Sequence, residues 1–361
     1  MLVLLALLVA GIRVLRPSPP ATRADGIGPC RALSLVDART NAPIVGVEDM
    51  AIDADGKVLY VSAYDRRAKA DKGDRAGGET IRGGLFRIEP AAFDRDGPVR
   101  AVRLTTPEPV RPHGIDVLRT DGDDIRLFAI DRRTRPDGRG RPVPATRLVG
   151  YRVSGDRLDP FMSVDGPALC TANDVLALSG QRGVISLDHK ACAGPARWLE
   201  DALALPRARL VTWDRTGLGD TAAGLLFANG IAPVAGAPAL WIAETRRRRL
   251  TRLPLGRYGD HGRREALALS FAPDNLSRGG DRVLAAGHPR LIRYALYRAG
   301  FPGVTTAPSA VAAISRDGTV TPLLSGQIDG FSGVTVAVRF AGRLVLGSGY
   351  DDRIAACPAD F

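Results

Sequence analysis

The chain has 361 residues, 45% hydrophobic and 25% charged, the proportions of an ordinary globular protein long enough to bury a large core. Its net charge of +11 invites a nucleic-acid reading that the residues do not support. Nearly all the basic residues are Arg, with Lys only at Lys57, Lys69, Lys72 and Lys190; the one dense run, Arg246–Arg249, has no aromatic neighbours for base stacking and reads as a solvated loop or strand edge, so no nucleic-acid partner is expected.

In chain order, the first element is apolar from Met1 to Ile12, with Arg13 and Arg16 following. A comfortable membrane span needs about 20 residues, so this segment is too short for one. It has the length of a signal-peptide apolar region, but no basic residue precedes it. Residues 1–24 are therefore an export signal or a retained hydrophobic anchor, with membrane association through residues 1–16. Either role puts the globular part, residues 25–361, outside the cytosol: periplasmic, secreted or membrane-anchored. Export permits disulfides. Cys30 and Cys357 stand near the two ends of the folded part, and a bridge there would tie its first and last segments together. Cys170 and Cys192 flank a hairpin and can pair locally. The sequence by itself leaves the pairing open.

Beyond Cys30, strand signals dominate: short apolar runs punctuated by Gly, Pro, Asp and Asn. Val58–Ser62, Leu127–Ile130, Leu240–Ala243, Val283–Ala286 and Leu344–Gly347 are the clearest. The best helical candidate is short, around Trp198–Leu205. The charged, Gly-rich stretch 64–84 reads as a mobile loop.

A repeat underlies these strands. Six segments begin with a polar residue, then a small or acidic one, then an apolar strand. Their heads are Glu48-Asp49, His113-Gly114, Asn173-Asp174, Asn229-Gly230, Asp274-Asn275 and Ser332-Gly333. Successive heads are roughly 45–65 residues apart, a period that suits four-stranded propeller blades. The fold class expected is all-β: a single six-bladed β-propeller preceded by a short hydrophobic segment. Innermost strands of a propeller begin at the same end of the central channel. The heads, far apart in sequence, then share one space.

The same motifs carry a family resemblance. Glu48-Asp49, Pro112-His113-Gly114-Ile115, Asn173-Asp174, Phe227-Ala-Asn229-Gly230-Ile231, Asp274-Asn275 and Gly287-His288-Pro289 stand in the order found in paraoxonases, within the wider gluconolactonase-like calcium-dependent propellers. The match runs from about Cys30 to Cys357. The hydrophobic N-terminus and a terminal Cys30–Cys357 clasp are similar to that family too. The resemblance implies two Ca2+ ions. The catalytic one would take Glu48, Asn173, Asn229, Asp274 and Asn275; the structural one would take Asp49, Asp174 and the carbonyl of Ile115. Independently, calcium prefers six to eight oxygen ligands, and no Cys or His cluster accompanies these oxygens to suit a softer metal.

His113 is the expected general base. Where paraoxonases place a second His one strand later, this chain has Asp131, expected to orient His113. His288 matches a family position near the metal set; a loop-structural role fits it equally. The function this implies is calcium-dependent opening of lactones or cleavage of aryl esters, calcium polarising the carbonyl and His113 activating water. No Gly-x-Ser-x-Gly elbow suggests a serine hydrolase. Two rivals remain: a gluconolactonase-like enzyme with one metal, and a non-enzymatic secreted binding propeller braced by calcium. Tyr64 and Phe301 are candidates for the pocket lining.

Overall fold

The computed structural model describes residues 16–53, 55–67, 83–120, 124–140, 142–255 and 263–360. The expected hydrophobic segment and most of the 64–84 loop lie outside the described residues.

The described chain is a β-propeller. Its blades arise because most strands are apolar on both faces, which requires sheets stacked against one another. Ala239–Glu244 and Ser309–Ile314 have every residue buried. Each expected strand is present, with ends shifted by a residue or two: Leu59–Tyr64, Ile125–Asp131, Ala239–Glu244, Arg282–His288 and Arg343–Gly347. The expected helix is present but lies earlier in the chain, at Gly194–Ala202, so that it overlaps the expected stretch only over the first five residues of that stretch. A second helix, Leu291–Arg298, was not expected; its Leu291, Tyr294 and Tyr297 recur at helical spacing, but over too few residues to stand out.

Counted by hydrogen bonding, the blades depart from six separate sheets. Four separate sheets have the size of a blade, and eight further strands form one continuous sheet. The cause is local. Arg31–Asp37 pairs antiparallel with Arg353–Pro358 and, on its other end, parallel with Val99–Arg103 through Leu35–Val99 and Val36–Arg100. The first and last portions of the chain are thus joined in one sheet. A single apolar cluster covers this seam, from Leu35, Val47 and Met50 to Val336, Val338 and Ile354. Cys30 and Cys357 are disulfide-bonded beside it. Cys170 and Cys192 form the second bridge, so both expected pairings are present. Closing the 327-residue separation restricts the unfolded chain by roughly 6 kcal/mol in the loop-entropy account.

The chain is attached further upstream than residue 25. Thr22–Arg23 adds to the edge of a blade against Ser325 and Leu324, and Arg290 and Arg293 donate to the carbonyl of Arg16 at 2.8 and 3.1 Å. Among the described residues no helix is long and apolar enough to cross a membrane.

Six strands surround the channel: Val47–Ile52, Pro112–Arg119, Ala172–Ser179, Ala228–Pro233, Ala272–Gly279 and Val336–Phe340. Each packs beside the next, and the last beside the first. At the heads of the first five the pairing slips, between Val47 and Asp49, Pro112 and Ile115, Ala172 and Val175, Ala228 and Ile231, and Pro273 and Leu276. A bulge re-aims side chains, and here it does so at the same place in five repeats.

Candidate functional site

The bulged heads explain the small residue that follows His113 and Asn229. A Cβ on Gly114 would lie 2.5 Å from Asp174 Cα, and one on Gly230 would lie 2.3 Å from the Leu276 nitrogen. Only glycine lets adjacent inner strands approach this closely.

The first residues of five of the six heads, Glu48, His113, Asn173, Asn229 and Asp274, face a cavity of about 460 Å3 at the channel mouth; Ser332 is not in its lining. The structure thus gathers four of the expected oxygen donors with the expected base. The fifth donor, Asn275, is not in the lining; its Nδ2 donates to the Glu48 carbonyl at 2.8 Å. Asn229 Nδ2 donates to Asp274 Oδ1. The amides are thereby oriented with their nitrogens occupied. Their oxygens, Asn229 Oδ1 and Asn275 Oδ1, are buried with no hydrogen-bond partner. Buried amide oxygens are nearly always paired, and an oxygen-seeking cation is what this donor set suits. Among the described residues no group of three His, Cys, Asp or Glu side chains is gathered into a metal centre; the donors here are largely amides.

Asp274 Oδ2 meets His288 Nε2 at 2.8 Å. His288 is fully buried, its Nδ1 is unpartnered, and its ring stacks on Tyr294 at 3.4 Å between centroids. Burial pushes the Glu48 carboxyl above its usual range despite the nearby Arg66.

His113 is held well below its ordinary pKa, by burial first and then by the charges of Arg132, Arg66 and Arg298. It is neutral at pH 7. Its Nδ1 lies 2.9 Å from Arg66 Nη2 and 3.6 Å from Glu48 Oε1. Because a guanidinium can only donate, Nδ1 accepts and the ring proton is on Nε2 in this arrangement.

Asp131 does not meet His113. It sits on the strand beside, opposite Pro112, and its carboxylate is taken by the Arg111 amide at 3.0 Å, Arg133 at 2.7 Å and Arg147 at 3.2 Å. The carboxylate beside His113 is Glu48. Neither Tyr64 nor Phe301 lines the cavity; its aromatic wall is Phe227, Tyr294 and Tyr350.

The second residues of two heads, Asp49 and Asp174, line a void of about 50 Å3 further along the channel, together with Asp116 and Arg278. Asp49 accepts from the Met50 and Ile115 amides at 2.9 and 2.8 Å. Asp174 accepts from Val175 and Ile231, both at 2.7 Å. Ile115 therefore meets Asp49 through its N–H. Burial raises both carboxyls well above the usual range; the charge of Asp49 adds to the rise at Asp174. Arg278 forks onto Asp116 at 2.6 and 3.1 Å.

The arginines of the cavity wall were not expected. Arg66, Arg132, Arg197, Arg246 and Arg298 all line it. The run 246–249 is not a solvated edge: its residues are half-buried, Arg246 pairs with Asp201 at 3.2 Å, and Arg247 pairs with fully buried Glu244 at 2.7 Å. Arg249 joins the same Glu244 at 2.5 Å. His189 is buried between Asp188 at 2.9 Å and Asp201 at 3.0 Å.

No family profile matches the chain, and no curated protein matches it. Solved structures do. A luciferin-regenerating enzyme superposes with a TM-score of 0.52 at 11% identity, covering 88% of this chain and 92% of that one. The calcium-binding protein regucalcin from Agrobacterium tumefaciens superposes with a TM-score of 0.51 at 11% identity, over 91% and 97% of the two chains. At this identity the likeness shows a shared propeller fold.

Proposed function

We propose that the protein is a calcium-dependent hydrolase that opens lactones, in the manner of the paraoxonase and gluconolactonase-like propellers, with aryl esters as a secondary substrate class. The observation that carries the reading is the pair of orphaned oxygens, Asn229 Oδ1 and Asn275 Oδ1, beside the carboxylates of Glu48 and Asp274. Calcium held by Glu48, Asn173, Asn229, Asp274 and Asn275 would supply Lewis acidity to an ester carbonyl oxygen. The interior ion expected at Asp49, Asp174 and the carbonyl of Ile115 is not part of this proposal, since amides already occupy both carboxylates.

The chain's own residues divide the remaining work. The cavity wall of Phe227, Tyr294 and Tyr350 holds the ring and excludes water around it. His113 handles the proton. When Nδ1–H turns to Glu48 Oε1, Arg66 no longer donates to it and Nε2 becomes an acceptor. Nε2 takes a proton from water as the water oxygen bonds to the carbonyl carbon. The ring C–O bond then breaks, and the departing oxygen takes that proton back. Glu48 thus fills the orienting role first assigned to Asp131.

The fold reading that accompanies this counts the eight-stranded sheet as two four-stranded blades, giving six. It is supported by the ring of six inner strands. We place the domain outside the cytosol, a compartment that suits its two disulfides, and read residues 1–16 as its signal or anchor.

The test is hydrolysis of γ- and δ-lactones and phenyl acetate, with added calcium and with EGTA, by the wild type and Asn229→Ala. Calcium-dependent ring opening, reduced at least 100-fold in Asn229→Ala, is expected. No turnover, with EGTA only lowering the melting temperature, would identify a binding propeller instead.

A further inference from the structure

The cavity arginines are unequally paired. Arg132, Arg197 and Arg246 are matched by Asp188 and Asp201 at 3.7, 3.4 and 3.2 Å. Arg66 has Glu48 at 3.4 Å and three backbone carbonyls. Arg298 differs. It ends the helix Leu291–Arg298 at the exposed lip, with its guanidinium over the Tyr350 ring, 5.7 Å away. Among the described residues it has no carboxylate partner. Across the lining, five arginines face four carboxylates, so the wall carries one cation in excess. The charges of Arg66, Arg132 and Arg298 all reach both Glu48 and His113, which puts Arg298 within electrostatic range of the reacting centre. An unpaired guanidinium offers a fork of donors that fits a planar oxyanion in two parallel hydrogen bonds.

Resting on the hydrolase reading, we propose that the substrate is a lactone bearing an oxyanion, a carboxylate or a phosphate, gripped by Arg298 while its ring lies over Glu48 and His113. Neutral alkyl lactones are then poor substrates. The grip acts on binding and orientation, so its signature is selectivity.

The experiment has a kinetic arm and a binding arm. The kinetic arm compares 5-oxotetrahydrofuran-2-carboxylate with γ-butyrolactone. The binding arm measures 2-hydroxyglutarate, the ring-opened product of the first, by calorimetry, which needs no turnover. In Arg298→Gln the ratio of kcat/KM for the charged over the neutral lactone is expected to fall about tenfold, and the Kd of 2-hydroxyglutarate to rise by a similar factor, since a charge-assisted hydrogen bond contributes about 1.5–3 kcal/mol. Arg298→Lys restores part of both. Inorganic phosphate displacing 2-hydroxyglutarate at sub-stoichiometric ratios would assign the grip to a phosphorylated substrate. An unchanged ratio together with unchanged binding overturns the proposal while leaving lactone hydrolysis standing. Binding weakened in Arg298→Gln with no lactone turned over by wild type would retain the oxyanion site and reject the hydrolase.

Discussion

The mouth and the interior of the channel are built from neighbouring residues yet do opposite things. At the mouth, Glu48, Asn173, Asn229 and Asp274 face open volume, and amide oxygens are left without partners. One residue further on, Asp49 and Asp174 face a void the size of a water molecule or two, with every carboxylate oxygen engaged by an amide of its own or the adjacent inner strand. Asp116 does the same for the next pair of strands, accepting from Ala177 at 2.8 Å. The interior carboxylates staple strand to strand around the axis, while the mouth keeps its oxygens unspent. At Glu48-Asp49 and Asn173-Asp174 a bulge at the strand head separates the two roles within a dipeptide. Satisfied polar groups rigidify a core; unsatisfied ones mark a place where something else completes the set.

The largest loss is expected where the mouth and the interior meet. Gly230→Ala would push a methyl group to 2.3 Å from the Leu276 nitrogen, a backbone atom that cannot yield cheaply. Overpacking of this kind costs about 3 kcal/mol or more. Urea unfolding should show that loss, together with lost activity, because Asn229 and Asn275 shift with their strands. A variant as stable as wild type would mean the strands are less tightly opposed than described.

A smaller effect sharpens the electrostatics of the mouth. Burial alone would lower the His189 pKa, but the hydrogen bond and charge of Asp188 and the hydrogen bond to Asp201 outweigh it and hold it above the ordinary value, against the nearby Arg197. Asp188 is correspondingly held low: burial would raise it, but His189, Arg132 and Arg197 prevail. A base raised in the fold contributes stability that is full below its unfolded pKa, near 6.5, and disappears as pH climbs through the higher folded value. His189→Gln should therefore melt below wild type at pH 6 and alongside it at pH 9, the gap staying under about 1 kcal/mol because Asp201 is half exposed. An equal gap at both pH values would show that the imidazolium contributes nothing.

What the sequence could disclose follows from range. The strands and the repeated heads were legible because alternation, turn residues and the 45–65-residue period are local or periodic signals. Both disulfides were placed correctly as candidates by their position at the seam and beside a hairpin. Asp131 misled because a one-strand offset moves a residue along the sheet: opposite Pro112, it meets Arg133 and Arg147 rather than His113. The arginines of the wall come from loops, a short turn and two separate helices, so no spacing connects Arg66 with Arg298. The run 246–249 looked solvated because its counterion, Glu244, was hidden inside an apolar strand.

We propose that the mouth, and not the interior, completes itself with a divalent cation. Calorimetric titration of Ca2+ into wild type, Asn229→Ala and Asp116→Ala tests it most directly. The account predicts saturable binding in wild type, affinity at least tenfold weaker in Asn229→Ala with the fold intact, and wild-type affinity in Asp116→Ala, whose melting temperature falls because Arg278 loses its partner. Binding that ignores Asn229→Ala but is lost in Asp116→Ala, or no binding heat in wild type, would contradict it.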